Sequence, residues 1–132
     1  MSDQERARPD AAPEVLEVEA HTHRRTALVA LRGELDLAGV PRVAEVLDGL
    51  APHADGLCHI VVDLRRLTFM DSSGLHELIR QDRFARESRH NIAFVRGPRA
   101  VEQLLRLTKV ENFLVLVDEP EDLAPPRLEP VA

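Results

Sequence analysis

The sequence predicts one α/β domain built around a small mixed sheet. Strand-like and helix-like segments alternate along the chain between two ends that are rich in Pro and charged residues. Such alternation is typical of parallel strands joined by helical crossovers. A short polar stretch between the first two strand-like segments favours an antiparallel hairpin at the start of the sheet. With 132 residues and 44% hydrophobic content, the chain can bury one core without disulfides or metals.

The first half of the chain predicts two strands and a helix. Apolar and polar side chains alternate over residues 16–20, the polar residues 21–25 predict a turn, and residues 27–31 predict a second strand. Pro41 fits the first turn of a helix, and apolar residues then recur at helical spacing. These apolar residues are Val43, Val46, Leu47 and Leu50. The pattern indicates a short amphipathic helix.

Three further strands are predicted in the rest of the chain. Residues 60–64 are apolar except for Asp63, as a central strand covered on both faces would be. Residues 92–95 and 113–117 also have the composition of strands. Together with the hairpin, these segments predict a sheet that is mostly parallel.

Helices are predicted between these strands. The first shows Leu75, Leu78 and Ile79 on one side, whereas Phe84 points about opposite Leu75. Phe84 is therefore predicted to be exposed or packed by the last turn of its helix. The other helix opens after Gly97 and Pro98, and its apolar face consists of Val101, Leu104, Leu105 and Thr108.

The two ends of the chain are predicted to be flexible tails. Residues 1–13 and 119–132 are rich in Pro and charge and lack sustained apolar periodicity, so the folded domain is predicted to span residues 14–118. The formal net charge is −6, of which −4 lies in residues 118–132. The body of the domain is thus nearly neutral, and the acidity says little about partners.

Several classes of function are disfavoured by composition. Four Phe and no Trp or Tyr leave few platforms for stacking nucleic-acid bases. No Gly-rich nucleotide loop is present, and we expect no cofactor. Cys58 is the single cysteine and is interpreted as a small buried residue. No run of 18 apolar residues and no apolar signal-peptide core occur, so we expect no membrane contact and a cytoplasmic protein.

Metal and hydrolase chemistry are also disfavoured. Only His21 and His23 lie close together, on a predicted turn, and no acidic or Cys partner falls at ligand spacing. Asp71, Ser72 and His76 have the side chains of a hydrolytic triad. Three neighbours on one turn cannot take the geometry of base, orienting acid and nucleophile, and the Gly-x-Ser-x-Gly elbow is absent.

Two polar clusters follow predicted strands. The first cluster connects a predicted buried strand to the helix that follows it and consists of Asp71-Ser72-Ser73-Gly74. The second cluster ends the second predicted strand and consists of Gly33-Glu34-Leu35-Asp36. A helix start can hold an anion, and a phosphate there would add about −1.5 to −2 charges to a small surface. The structural alternative is a helix cap for the first cluster and an exposed turn for the second.

The order of these segments resembles the STAS domain of bacterial anti-sigma factor antagonists. The resemblance runs from about Val15 to Val117 and rests on both clusters, on residues 60–64, and on the run Leu67-Thr68-Phe69-Met70-Asp71-Ser72-Ser73-Gly74-Leu75. It implies a small mixed sheet with helices packed largely on one face. It also implies a binding module and not an enzyme.

The resemblance implies a function and a set of site residues. The unphosphorylated protein binds an anti-sigma factor, often a serine kinase, and frees a sigma factor; phosphorylation inactivates it and a PP2C-type phosphatase restores it. Ser72 matches the phosphoacceptor. The implied partner-binding residues are Glu34, Asp36, Asp71, Ser72, Ser73, Gly74 and His76. His76 and Glu77 depart from the family pattern, in which these positions are often small or apolar. The alternative function is a STAS module of a larger sensory or scaffolding assembly that acts through homotypic or other protein contacts.

Overall fold

A single mixed sheet organises the part of the chain that the computed structural model describes, residues 15–50 and 59–123. Its five strands lie in the order β1-β2-β3-β4-β5. β1 pairs with β2 in antiparallel fashion, and the remaining neighbours are parallel. The strands are β1 Glu17–His23, β2 Thr26–Leu35, β3 His59–Met70, β4 Asn91–Val95 and β5 Leu116–Val117. The predicted mixed sheet with an N-terminal hairpin is confirmed.

Three α-helices connect the parallel strands. They are α1 Val40–Leu50, α2 Ser72–Glu87 and α3 Arg99–Leu107. Short 3-10 helices at Val110–Asn112 and Pro120–Leu123 flank β5. Each crossover steps to the next strand in the same direction, so crossovers of one hand place all three helices on one face of the sheet.

The main core lies between the sheet and these helices. Each helix contributes side chains that are almost completely buried, and the set is Val43, Leu47, Leu75, Leu78, Ala85, Val101 and Leu105. A smaller cluster of Val61, Ala93 and Val95 lies on the opposite face. This division confirms that the helices pack on one face. It also explains why β3 and β4 are apolar on both sides.

Asp63 is the polar exception within the central strand. Its carboxylate accepts two hydrogen bonds from the Arg65 guanidinium, at 3.0 and 2.9 Å. Burial raises the pKa of Asp63, but the hydrogen bonds from Arg65 outweigh it and leave the pKa below its ordinary value. The charge is thus retained in the sheet because it is paired.

The hairpin differs from the prediction in where it turns. His21 and His23 were predicted on a turn, but β1 continues through both, and His23 pairs with Thr26. The turn consists of Arg24 and Arg25, and Arg24 takes a left-handed conformation with φ of 58°. β1 is an edge strand, where exposed polar side chains are tolerated. The polar residues in this segment therefore reflect the exposure of β1 and do not mark the end of the strand.

β3 and β5 also differ from their predicted lengths. β3 runs to Met70, well beyond residue 64, because Leu67 and Met70 are buried against β2. β5 is confined to Leu116–Val117. The predicted strand over residues 113–117 was too long, since the 3-10 turn before it places Phe113 outside the sheet with its side chain 64% exposed.

The ends of the predicted domain are only partly described. Residues 1–13, together with His53 and Cys58, lie outside the described residues. The structure also describes residues 119–123 of the predicted C-terminal tail, and these residues include a 3-10 helix. Arg65 and Glu119 form an exposed ion pair at 3.4 Å.

Candidate functional site

Parallel pairing of β2 and β3 brings the two polar clusters to the same edge of the sheet. Leu35 is the register partner of Met70, and Glu34 is the partner of Phe69. The next residues along each strand, Asp36 and Asp71, therefore leave the sheet side by side. The Asp71 N–H donates to the Leu35 carbonyl at 3.3 Å, which ties the start of α2 to the end of β2.

Asp71 is the N-cap of α2. Its carboxylate accepts from the backbone N–H groups of Ser73 at 2.9 Å and Gly74 at 3.2 Å. An N-cap carboxylate satisfies donors that have no partner within the helix and favours the positive end of the helix dipole. The N–H groups of Ser73 and Gly74 thus already have an acceptor. A phosphate on Ser72 would not receive their hydrogen bonds and would face solvent.

Gly74 allows α2 to approach β2 closely. A β-carbon at this position would lie 2.6 Å from the Leu35 carbonyl oxygen and 2.8 Å from the Met70 Cγ. Such distances are shorter than van der Waals contact, so only glycine fits without a shift of the helix. The close approach fixes the distance between the sheet and the first turn of α2, which contains Ser72 and Ser73.

Asp36 shapes the other half of the edge. Its Oδ1 accepts from the N–H groups of Ala38 and Gly39, both at 3.1 Å. Its carbonyl accepts from Gly39 and Val40 at 2.9 and 3.0 Å, which leads the chain into α1. The Asp36 carboxylate is therefore a turn-forming group as well as a charge next to α2.

Four side chains at this edge are exposed and form what we call the switch surface: Leu37, Phe69, Ser72 and His76. Leu37 is 74% exposed and Phe69 is 44% exposed. Glu34, Asp36, Asp71 and Ser73 are half-buried beside this surface, and Gly74 is buried beneath it. The structure thus brings all the predicted site residues to one edge.

Leu37 was missed by sequence reasoning. It follows Asp36 and belongs to no strand or helix. The available signal was an apolar side chain within a polar connection that fits neither the pattern of β2 nor that of α1. Large exposed apolar side chains beside polar groups are typical of protein-binding surfaces.

Glu77 lies away from the switch surface, unlike its neighbour His76. It is buried on the α1 side of α2, where its carboxylate accepts from Arg80 at 2.8 Å and from the Gln81 amide at 2.8 Å. Arg80 and Gln81 also donate to Asp48 on α1. The hydrogen bonds that Arg80 donates to Glu77 hold the pKa of Arg80 above its usual value. Glu77 thus joins two helices, and only His76 of this pair faces solvent.

The residues with triad-like side chains do not form a relay. The Asp71 carboxylate bonds to backbone N–H groups, and within the described chain no hydrogen bond links Asp71, Ser72 and His76. Among the described residues, no group of three or more His, Cys, Asp or Glu could hold a metal ion. None of the described helices is long and apolar enough to cross a membrane.

Solved structures with this architecture include anti-sigma factor antagonists. One from Mycobacterium paratuberculosis aligns with a TM-score of 0.74 at 22% identity, covering 84% of this chain and 92% of that one. SpoIIAA in its unphosphorylated form aligns with a TM-score of 0.66 at 21% identity, covering 81% and 93%. The Bacillus cell fate determinant SpoIIAA in the phosphorylated form aligns with a TM-score of 0.62 at 19% identity, covering 81% and 96%. These likenesses show a shared fold.

Sequence comparison gives the family directly. A search of curated proteins finds no match. The family model described as "Mlab, STAS domain" matches residues 18–118, which include all of β1 except Glu17, the strands β2 to β5, the three α-helices described above and the switch surface. The chain therefore belongs to the STAS domain family.

Proposed function

We propose that this protein is an anti-sigma factor antagonist controlled by phosphorylation of Ser72. The unphosphorylated form binds an anti-sigma factor of the serine kinase type, and the sigma factor held by that kinase is released. A PP2C-type phosphatase restores the binding form. In this scheme the protein acts in the cytoplasm as a binding module, and the chemistry is done to it by its partners.

One observation carries the proposal: Ser72 is an exposed hydroxyl at the first residue of α2, next to the capping carboxylate of Asp71. Its neighbours Ser73 and Gly74 are tied to Asp71 through their backbone N–H groups. The backbone around Ser72 is thus held in place, while the Ser72 hydroxyl stays open to a second protein. Anti-sigma factor antagonists of the same fold, one of them solved in a phosphorylated form, support this assignment.

Phosphorylation would make the switch surface strongly negative. Transfer of the γ-phosphoryl group of ATP forms a bond from the Ser72 oxygen to the γ-phosphorus and breaks the bond between that phosphorus and the bridging oxygen. ADP and the hydroxyl proton are released. The product carries about −1.5 to −2 charges beside the Asp71 and Asp36 carboxylates. A partner surface that accepted a neutral hydroxyl would then meet clustered negative charge and pay for its desolvation.

The test is phosphorylation by the cognate kinase with ATP, followed by mass spectrometry. We expect phosphate on Ser72 and none after Ser72→Ala, a variant that should still bind the kinase. Ser72→Glu should weaken binding partially, because a carboxylate carries less charge than a phosphate. Phosphate mapped to Ser73 or to another residue would contradict the assignment, as would the absence of any transfer.

A second candidate is a STAS module of a larger assembly that acts through protein contacts without a kinase. It is favoured by the matching family model, whose description names Mlab and not an anti-sigma factor antagonist. This alternative predicts that binding to the partner does not depend on Ser72 phosphorylation. Binding measured before and after phosphatase treatment separates the two functions.

A further inference from the structure

A groove lies beside the C-terminal half of α2, away from the switch surface. It has a volume of about 360 Å³ and is lined by Ile79, Asp82, Arg83, Arg86, Val110 and Phe113. Its floor is apolar, and Phe113 stands at its side with 64% of its side chain exposed. An exposed Phe is notable in a protein that contains four aromatic residues.

The walls of the groove are fixed by internal contacts. The Arg86 guanidinium pairs with the Asp82 carboxylate at 3.0 Å and donates to the Phe113 carbonyl at 3.2 Å. These bonds join α2 to the segment before β5, so the groove is preformed. Arg83 is exposed and, within the described parts of the chain, makes no ion pair. Its positive charge is therefore available to a ligand.

The groove shares one face of α2 with the switch serine. Ser72, His76, Ile79, Arg83 and Arg86 follow each other at steps of four, three, four and three residues. At 100° per residue this spacing keeps them within about 40° of Ser72, and Ile79 lies about 10 Å from Ser72 along the helix. A protein interface of ordinary size, about 800 Å² on each partner, spans both.

We infer that this groove is a second docking site, which binds a protein segment carrying an apolar side chain next to a carboxylate. The apolar side chain packs against Ile79, Val110 and Phe113, and the carboxylate pairs with Arg83. This inference rests on the proposed function in assigning the segment to the same partner that meets Ser72. The groove residues on α2 lie about 10 Å or more from Ser72 along the helix, so the contribution of the groove to partner binding does not depend on phosphorylation, whereas the total affinity still falls when Ser72 is phosphorylated.

The composition of the groove favours a protein segment over other anions. A nucleic-acid backbone or a lipid surface would present many phosphates, whereas the groove offers one unpaired arginine over an apolar floor. An apolar side chain with one neighbouring carboxylate matches both parts of the groove.

The first experiment uses a synthetic peptide, acetyl-Glu-Glu-Leu-Leu-Glu-Glu-amide, titrated into the isotopically labelled full chain. Amide resonances of Ile79, Arg83, Val110 and Phe113 should shift, while a peptide with lysines in place of glutamates should leave them in place. Phe113→Ala and Arg83→Glu should each raise the peptide Kd about fivefold or more. Both side chains are exposed, so the variants should fold normally.

Matched substitutions at exposed positions outside the groove serve as controls. Leu107 is 70% exposed, and Leu107→Ala should leave the peptide Kd unchanged. Arg24 lies in the β1–β2 turn, and Arg24→Glu should do the same. Equal changes of the peptide Kd in groove and control variants would refute the docking site. Equal resonance shifts with the lysine peptide would also refute it. Shifts at these resonances caused by an oligonucleotide or by anionic lipid vesicles, without an effect of the acidic peptide, would also overturn it.

The second experiment uses the kinase that phosphorylates Ser72. Phe113→Ala and Arg83→Glu should weaken its binding to the unphosphorylated protein about fivefold or more, and the much weaker binding of the phosphorylated protein should fall by a similar factor. Unchanged kinase binding by both variants would refute the shared docking site and leave the switch intact. If no kinase modifies Ser72, the proposed function fails, and the peptide titration still decides whether the groove binds acidic segments.

Discussion

The Leu35 carbonyl oxygen lies where a side chain on residue 74 would begin: a β-carbon added to Gly74 would stand 2.6 Å from it. Gly74→Ala should therefore push α2 away from β2 and destabilise the fold by about 1–3 kcal/mol, the usual cost of overpacking. It should also displace Ser72 and slow its phosphorylation. The measurement is urea denaturation together with the rate of phosphate incorporation.

Gly49 on α1 is the matched control for this prediction. A β-carbon there would meet nothing within 4 Å. Gly49→Ala should therefore stabilise the protein by about 0.5–1 kcal/mol, because alanine is the better helix former. Equal losses of stability at both positions would contradict the close contact between α2 and β2.

Because Asp71 caps α2, substitution of Asp71 should reduce the stability of the protein more than substitution of Ser73. Asp71→Ala should cost about 1 kcal/mol, since the N–H groups of Ser73 and Gly74 lose their acceptor. Asp71→Asn should keep most of this stability because an amide oxygen also caps a helix. Ser73→Ala should cost less than Asp71→Ala in the same thermal or urea unfolding, since the cap is supplied by Asp71; a larger loss at Ser73 would assign the cap to it instead.

His90 predicts a dependence of stability on pH. Burial lowers the pKa of His90, so below about pH 6.5 the folded state binds fewer protons than the unfolded state. The free energy of unfolding should then decrease as the pH falls from about 6.5 through the lower pKa of the folded protein. His90→Gln should reduce this slope in urea unfolding measured across that range.

Phe84 contributes to the environment of His90, since the two rings meet edge to face with centroids 6.0 Å apart. A slope that is identical in the wild-type protein and in His90→Gln would exclude His90 as the group responsible.

The domain boundaries give a further prediction. We propose that the folded domain spans residues 14–118 and that residues 1–13 and 119–132 are dispensable for folding. Deletion of residues 1–13 and 124–132 should change Tm by less than about 5 °C. Extending the deletion to residue 119 also removes the exposed pair of Arg65 with Glu119, whose contribution is about 0–1 kcal/mol. A larger loss from either deletion would show that a tail packs on the domain.

Periodicity was sufficient to predict the mixed sheet and the apolar side of each helix, because α1, α2 and α3 bury most of the apolar stripe that the sequence displays. Thr108 is the exception, since it follows the end of α3 and is exposed. Periodicity could not predict that β3 continues to Met70. That extension depends on pairing with β2, a tertiary contact that local sequence does not encode. The exposure of Phe113 follows from the 3-10 turn before it, where strand-like composition was misleading.

Part of the candidate site could be predicted because its residues are neighbours in the sequence. Asp71, Ser72 and Gly74 form one contiguous segment, so their proximity needed no tertiary structure. Phe84 shows the opposite case: helical projection left exposure and packing open, and the structure places it half-buried against His90. The groove beside α2 was not predicted, since Val110 and Phe113 reach Ile79 only through the fold.

The edge strand β1 has a consequence for how the protein behaves at high concentration. Glu17, Glu19, His21 and His23 alternate along it and all are exposed. A second molecule that extended the sheet with its own β1 in parallel register would place its Glu17 and Glu19 beside these like charges, which discourages ordered polymerisation through this edge. The protection should be weakest near the sequence pI of about 5.5, where net repulsion between molecules vanishes. Storage above that pH therefore favours single molecules over fibrils and precipitates.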